Sequence, residues 1–155
     1  ENFIVTNGTD EDLAQYFAIG NETMIISDDF DKLSQNDIYQ IMCAGRKEEY
    51  EKILQGTKNA QVAAWWDKAV DIIPANGGKG NAVNAVLKYY GFSKEEAIAF
   101  GDGQNDIEML EAVGTGVAMG NAKYEVKERA DVVCKSVEED GVYYYCLENK
   151  LITEI

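Results

Sequence analysis

Apolar positions along this chain recur at helical and at strand spacing in alternation, most regularly beyond residue 77. Val83, Val86, Leu87 and Tyr90 fall at i, i+3, i+4 and i+7, which places one apolar stripe on a helix that Gly91 stops. Ser93-Lys94-Glu95-Glu96 has capping-box spacing for a short helical turn, and Ala97 to Phe100 is a continuous apolar run of the kind found in strands buried on both faces. Ile107, Leu110 and Val113 mark the next helix, Gly116 to Met119 a strand, and Tyr124 to Arg129 a helix. Asp131 to Cys134 then reads as a strand and Val142 to Asn149 as a last helix. Such alternation predicts an α/β fold with a parallel sheet covered on both sides.

The earlier residues are less regular. Thr23 to Ser27, Ile38 to Cys43, Ala60 to Trp66 and Val70 to Ile73 have strand character, while Asp10 to Phe17 and Lys47 to Leu54 have helical character, which makes a small α/β layer. Pro74-Ala75-Asn76-Gly77-Gly78 is the strongest cluster of breakers, and a domain boundary is expected there, giving domains 1-73 and 74-155.

Composition narrows the function classes. With 155 residues, 46% of them apolar and one proline, the chain has enough material for a packed core. No stretch approaches the roughly 20 apolar residues that span a bilayer, and no export leader is visible at its start. The net charge of −14 repels nucleic acid and anionic membrane, so neither is expected as a partner. Cys43, Cys134 and Cys146 are an odd number without C-x-x-C spacing, which fits a reducing cytoplasmic setting. The chain has no histidine, so any chemistry that needs an imidazole base is excluded.

Two segments can carry chemistry. Gly101-Asp102-Gly103-Gln104-Asn105-Asp106 lies between the Ala97 to Phe100 strand and the next helix, where ligands sit in open α/β sheets. Asp102 offers a hard oxygen suited to magnesium, Asn105 an amide for a phosphate oxygen, and Asp106 a carboxylate that could orient its neighbours through backbone amides. By itself the hexapeptide fits an ordinary tight turn with a helix N-cap equally well. Gly77-Gly78-Lys79-Gly80 opens the preceding helix, where orphan amides favour an anion and Lys79 adds a full charge. Alone it also fits a glycine-rich linker with a solvated lysine, and its spacing is not that of a Walker loop.

In combination these segments resemble the later motifs of the haloacid dehalogenase superfamily, more specifically the Cof-type branch with a type IIB cap. The resemblance is carried by Asp71-Ile72-Ile73-Pro74 with Gly78-Lys79-Gly80, by Ala99 to Leu110, by Gly116-Val117-Ala118-Met119-Gly120-Asn121-Ala122, and by Glu139-Asp140-Gly141-Val142. It implies a Rossmann-like core joined to a small α/β cap portion, and magnesium-dependent hydrolysis of small phosphate esters, sugar phosphates foremost, through an aspartyl phosphate. It further implies that Asp102 is the metal ligand, Lys79 the catalytic cation that binds phosphoryl oxygen, Asn105 a substrate-side donor and Asp106 a supporting catalytic acid. The family's D-x-D-G-T nucleophile block is not found in these residues. Asp29-Phe30-Asp31 follows an apolar run but continues as Lys32-Leu33, and it reads better as an acidic turn in the cap than as a nucleophile. The expectation is therefore a partial chain, completed by an N-terminal half or by a homo-oligomer, with a non-catalytic phosphate- or protein-binding module as the alternative. Trp65, Trp66 and Tyr39 would belong to the cap, as packing residues or as contacts to a substrate's leaving group.

Overall fold

The computed structural model describes residues 5, 6, 8–19, 25–64 and 66–154, and the chain divides into two compact units, Glu1–Asn76 and Gly77–Ile155. In the first unit, β1 (Val5–Thr6) and β2 (Ile25–Ile26) pair in parallel on either side of α1 (Glu11–Ile19). The Asp10 carboxylate accepts the Leu13 backbone N–H at 2.8 Å, and Glu11 and Asp12 place negative charge in the first turn, both favourable at a helix start. A short helix, α2 (Phe30–Leu33), precedes β3 (Ile41–Ala44), and α3 (Tyr50–Ile53) precedes β4 (Ala60–Ala63) and β5 (Ala69–Pro74). These three strands form an antiparallel sheet in the order β3-β5-β4.

The core of this unit gathers Tyr16, Phe17 and Ala69, with Leu13, Met42 and Trp66 packed against them. Trp66 is therefore a packing residue, whereas Tyr39 is 82% exposed; Trp65, Thr23 and Met24 lie outside the described residues. The Tyr16 hydroxyl donates to Asp71 Oδ1 at 2.8 Å and ties α1 to β5, and Arg46 pairs with Asp12 at the surface. Tyr16→Phe keeps the ring and removes that bond. The expected loss is about 1 kcal/mol in urea unfolding, since the half-buried Asp71 carboxylate can still reach water.

In the second unit, α4 (Lys79–Tyr90), β6 (Ile98–Gly101), α5 (Ile107–Glu111), β7 (Thr115–Ala118), α6 (Tyr124–Arg129), β8 (Val132–Val133) and α7 (Gly141–Glu148) follow in turn. The sheet is parallel throughout in the order β6-β7-β8, with Gly101 opposite Ala118 and Val117 opposite Val132. Alternation along β6 sends neighbouring side chains to opposite faces. Ala99 joins Leu110, Val113, Ala118, Ala122 and Val126 in the core, while Phe100 meets the Tyr145 ring of α7 edge-on at 5.4 Å. The sheet is parallel as the alternating pattern predicts, but its covering is incomplete: Ile98 on β6 and Val132 and Val133 on β8 are exposed.

β8 is shorter than the expected Asp131 to Cys134 strand, although the Asp131 and Cys134 N–H groups still donate to the Gly116 and Ala118 carbonyls, each at 2.9 Å, and the Asp131 side chain accepts the Gly116 N–H at 2.8 Å. Gly78 starts α4 at φ 98°, a conformation that L side chains rarely adopt. Gly80 then lets α4 lie directly on α5, where a Cβ would stand 2.7 Å from the Glu108 carbonyl oxygen.

Candidate active site

β6 ends at Gly101, so the next residue, Asp102, projects from the carboxyl end of the sheet, and a 3-10 turn at Gln104–Asp106 leads into α5. Gly101 is required by crowding, since a Cβ there would stand 2.6 Å from Asp106 Cβ. Asp106 is buried beneath the turn, and its Oδ2 accepts the backbone N–H groups of Asp102 and Gly103, each at 3.0 Å. Its Oδ1 accepts from the Lys79 ammonium, which reaches over from the first residue of α4. Burial pushes the Asp106 carboxyl up, but the Lys79 hydrogen bond and the two backbone donors outweigh it and hold the group below its ordinary 3.8. Asp106 is therefore an ionised internal counter-charge with its oxygens in use.

Asp102 has a different setting. It is exposed, and its Oδ2 accepts one neutral donor, Asn121 Nδ2, at 2.8 Å. Asn121 follows β7, the neighbour of β6, so parallel pairing brings the two strand ends together. The neighbouring Gly120 carbonyl accepts from Lys127 Nζ at 2.6 Å. The Asn105 side-chain oxygen folds back over Gly103, where it would stand 2.6 Å from an added Cβ.

Lys79 and the Asp102 turn thus meet on one carboxylate, that of Asp106, by its two oxygens. Asn121 is a member of this constellation that the sequence by itself does not single out. Its only signal there is the Gly120-Asn121-Ala122 block, which says nothing of a partner at Asp102. Asp29 and Asp31 belong to the first unit and are exposed at the start of α2. An open depression between β8 and α7, lined by residues such as Cys134, Tyr144 and Glu148, includes none of the candidates.

Among the described residues no group of three or more acidic or sulfur side chains could cage a metal. With Asp106 occupied by Lys79, Asp102 is the carboxylate left facing outward. That donor set fits magnesium, which keeps several waters and takes one or two carboxylates plus substrate oxygens, better than calcium, which wants six to eight oxygens.

Residues 1–146 match the haloacid dehalogenase-like hydrolase family. The chain is 48% identical over 88 residues to a protein of the pdhA 5′ region of Geobacillus stearothermophilus, covering 57% of this chain and 93% of that protein. It is 40% identical over 116 residues to YkrA of Bacillus subtilis, covering 75% of this chain and 45% of YkrA. Among solved structures, the HAD subclass IIB sugar phosphatase BT4131 superposes with a TM-score of 0.74 at 28% identity, over 84% of this chain and 49% of that one. The chain spans about half the length of YkrA and of that sugar phosphatase. A family match that runs through nearly the whole chain agrees with a parallel sheet that carries Asp102 at its carboxyl edge, and the chain belongs to the haloacid dehalogenase-like hydrolases.

Proposed function

We propose that this chain carries the metal- and phosphate-binding part of a magnesium-dependent phosphatase of small phosphorylated metabolites, with sugar phosphates as the foremost class. The observation that carries the reading is the shared use of Asp106: its carboxylate holds the Lys79 ammonium with one oxygen and the backbone of the Asp102 turn with the other. A fixed positive charge beside an outward carboxylate is the pairing a phosphoryl group with a bound divalent cation requires. Likeness to a subclass IIB sugar phosphatase supports the substrate class.

In this reading Lys79 neutralises charge on the phosphoryl oxygens, Asn105 donates to the phosphate side, and Asp106 orients both Lys79 and the turn. Asp102 would hold the magnesium, which when bound supplies positive charge against the phosphoryl oxygens. The nucleophilic carboxylate would come from a D-x-D-G-T block outside these 155 residues, in an N-terminal half or a partner subunit. Its oxygen would bond to phosphorus as the bond to the leaving alcohol breaks, and water would then release phosphate from the aspartyl phosphate. The unit Gly77–Ile155 would be the later half of the catalytic core and the unit Glu1–Asn76 part of the cap, in a cytoplasmic enzyme.

The test is magnesium-dependent turnover of an aryl phosphate by the protein encoded by the full reading frame, compared with its Asp102→Ala variant. Turnover should fall to background in the variant; undiminished activity would refute the assignment. The lack of a D-x-D-G-T block within the chain favours a second reading, a non-catalytic module for a phosphorylated ligand or a protein. Calorimetric titration of the 155-residue chain with magnesium and phosphate, together with the upstream reading frame, separates the two. An upstream D-x-D-G-T would dispose of the module.

A further inference from the structure

The outward carboxylate of Asp102 needs something to hold it. An exposed aspartate ordinarily samples more than one χ1 well, and a ligand carboxylate that wanders binds its ion weakly. Asn121 supplies the restraint with both ends of its amide: Nδ2 donates to Asp102 Oδ2 at 2.8 Å, and Oδ1 accepts the Val137 backbone N–H at 3.0 Å. The orientation of this amide is not arbitrary. A backbone N–H can only donate, so the oxygen must face Val137 and the NH2 must face Asp102.

The loop that carries Asn121 is itself pinned. Gly120 donates its N–H to the Lys135 carbonyl at 3.1 Å and accepts from Lys127 Nζ at 2.6 Å. A Cβ on Gly120 would stand 2.6 Å from Ser136 N, so the loop lies flat against the strand-to-turn segment that contains Val137. Ser136 and Glu139 brace that segment in turn through a hydroxyl-to-carboxylate bond of 2.6 Å.

The charge of the clamp is as telling as its geometry. On Asp106 the partner is a cation, and the carboxylate is consumed as a counter-ion. On Asp102 it is a neutral amide, which occupies one acceptor site of the roughly four a carboxylate offers and leaves its full charge for a divalent ion.

We infer that Asn121 is the positioning residue for Asp102: it holds the carboxylate in one rotamer with its charge uncancelled, and couples that rotamer to the turn that leads into α7. The inference rests on the reading of Asp102 as a metal ligand, and its test separates the two. In the metal-free 155-residue chain, the Hα–Hβ couplings of Asp102 measured by NMR should report a single rotamer. They should become averaged in Asn121→Ala and depart from the wild-type values in Asn121→Asp, which keeps an oxygen for Val137 but loses the donor. Unchanged β7 amide shifts, Thr115 to Ala118, would establish that the fold persists.

In a second arm, Mn2+ is titrated as a paramagnetic stand-in for magnesium, and broadening of amides around Asp102 gives an affinity. Asn121→Ala should bind Mn2+ about tenfold more weakly than wild type. A single retained Asp102 rotamer in Asn121→Ala, or an averaged rotamer with wild-type Mn2+ affinity, overturns the inference about Asn121. Broadening that is the same in wild type and Asp102→Ala overturns the metal reading of Asp102 itself.

Discussion

Asp106→Ala is expected to destabilise the unit Gly77–Ile155 by about 3 kcal/mol at neutral pH and to abolish any phosphatase activity of the full-length protein. The alanine keeps the Cβ that packs against Gly101 but leaves the N–H groups of Asp102 and Gly103 and the Lys79 ammonium without their shared acceptor. Hydrogen bonds to a charged group contribute more than neutral ones, and three are lost together. Lys79 adds little to the cost by itself, since its side chain is 49% exposed and water screens it. The larger part comes from the turn, whose shape depends on both backbone bonds.

The same carboxylate sets a dependence on acid. Its folded value is depressed below the ordinary 3.8, so its contribution is fully present above that value and is lost as pH falls through the folded one. Urea unfolding at neutral pH and near pH 3 checks both statements. The gap between wild type and Asp106→Ala should be widest at neutral pH and should narrow as the wild-type carboxylate takes up its proton.

Gly141→Ala is expected to cost about 3 kcal/mol, by overpacking rather than by lost bonds. A Cβ on Gly141 would stand 2.0 Å from the Lys135 carbonyl oxygen and 2.6 Å from its carbon. That carbonyl cannot withdraw freely, because it accepts the Gly120 N–H at 3.1 Å. The helix must therefore lift, straining the edge-on contact of Tyr145 with Phe100 and the turn that presents the Val137 N–H to Asn121. A drop in thermal midpoint together with faster hydrogen exchange at Val137 would display both effects. Gly8→Ala is a suitable control, since no atom lies within 4 Å of an added Cβ there. Equal midpoints for Gly141→Ala and that control would contradict the argument.

Much of the second unit is legible from local pattern. The stripe of Val83 to Tyr90, the apolar run of Ala97 to Phe100 and the Asp131 to Cys134 segment each announce an element, because helix and strand impose different spacings on apolar residues, although Val86, Tyr90, Val132 and Val133 are exposed in the fold. The first unit is harder to read. Its antiparallel order β3-β5-β4 leaves no mark in short runs such as Ala60 to Ala63, since one strand reads alike whichever way its neighbour points.

The amino-acid order alone places Asp102 at a strand end and Lys79 at a helix start, because turn glycines and apolar periods act over a few residues. Which carboxylate Lys79 would neutralise was decided only by folding: it is Asp106, 27 positions away, while the amide that reaches Asp102 comes from Asn121, 19 positions away. Both partnerships depend on α4 lying against α5 and on β6 pairing in register with β7. That long-range packing leaves one aspartate cancelled by a cation and the other charged, a difference that two identical letters in one hexapeptide cannot carry.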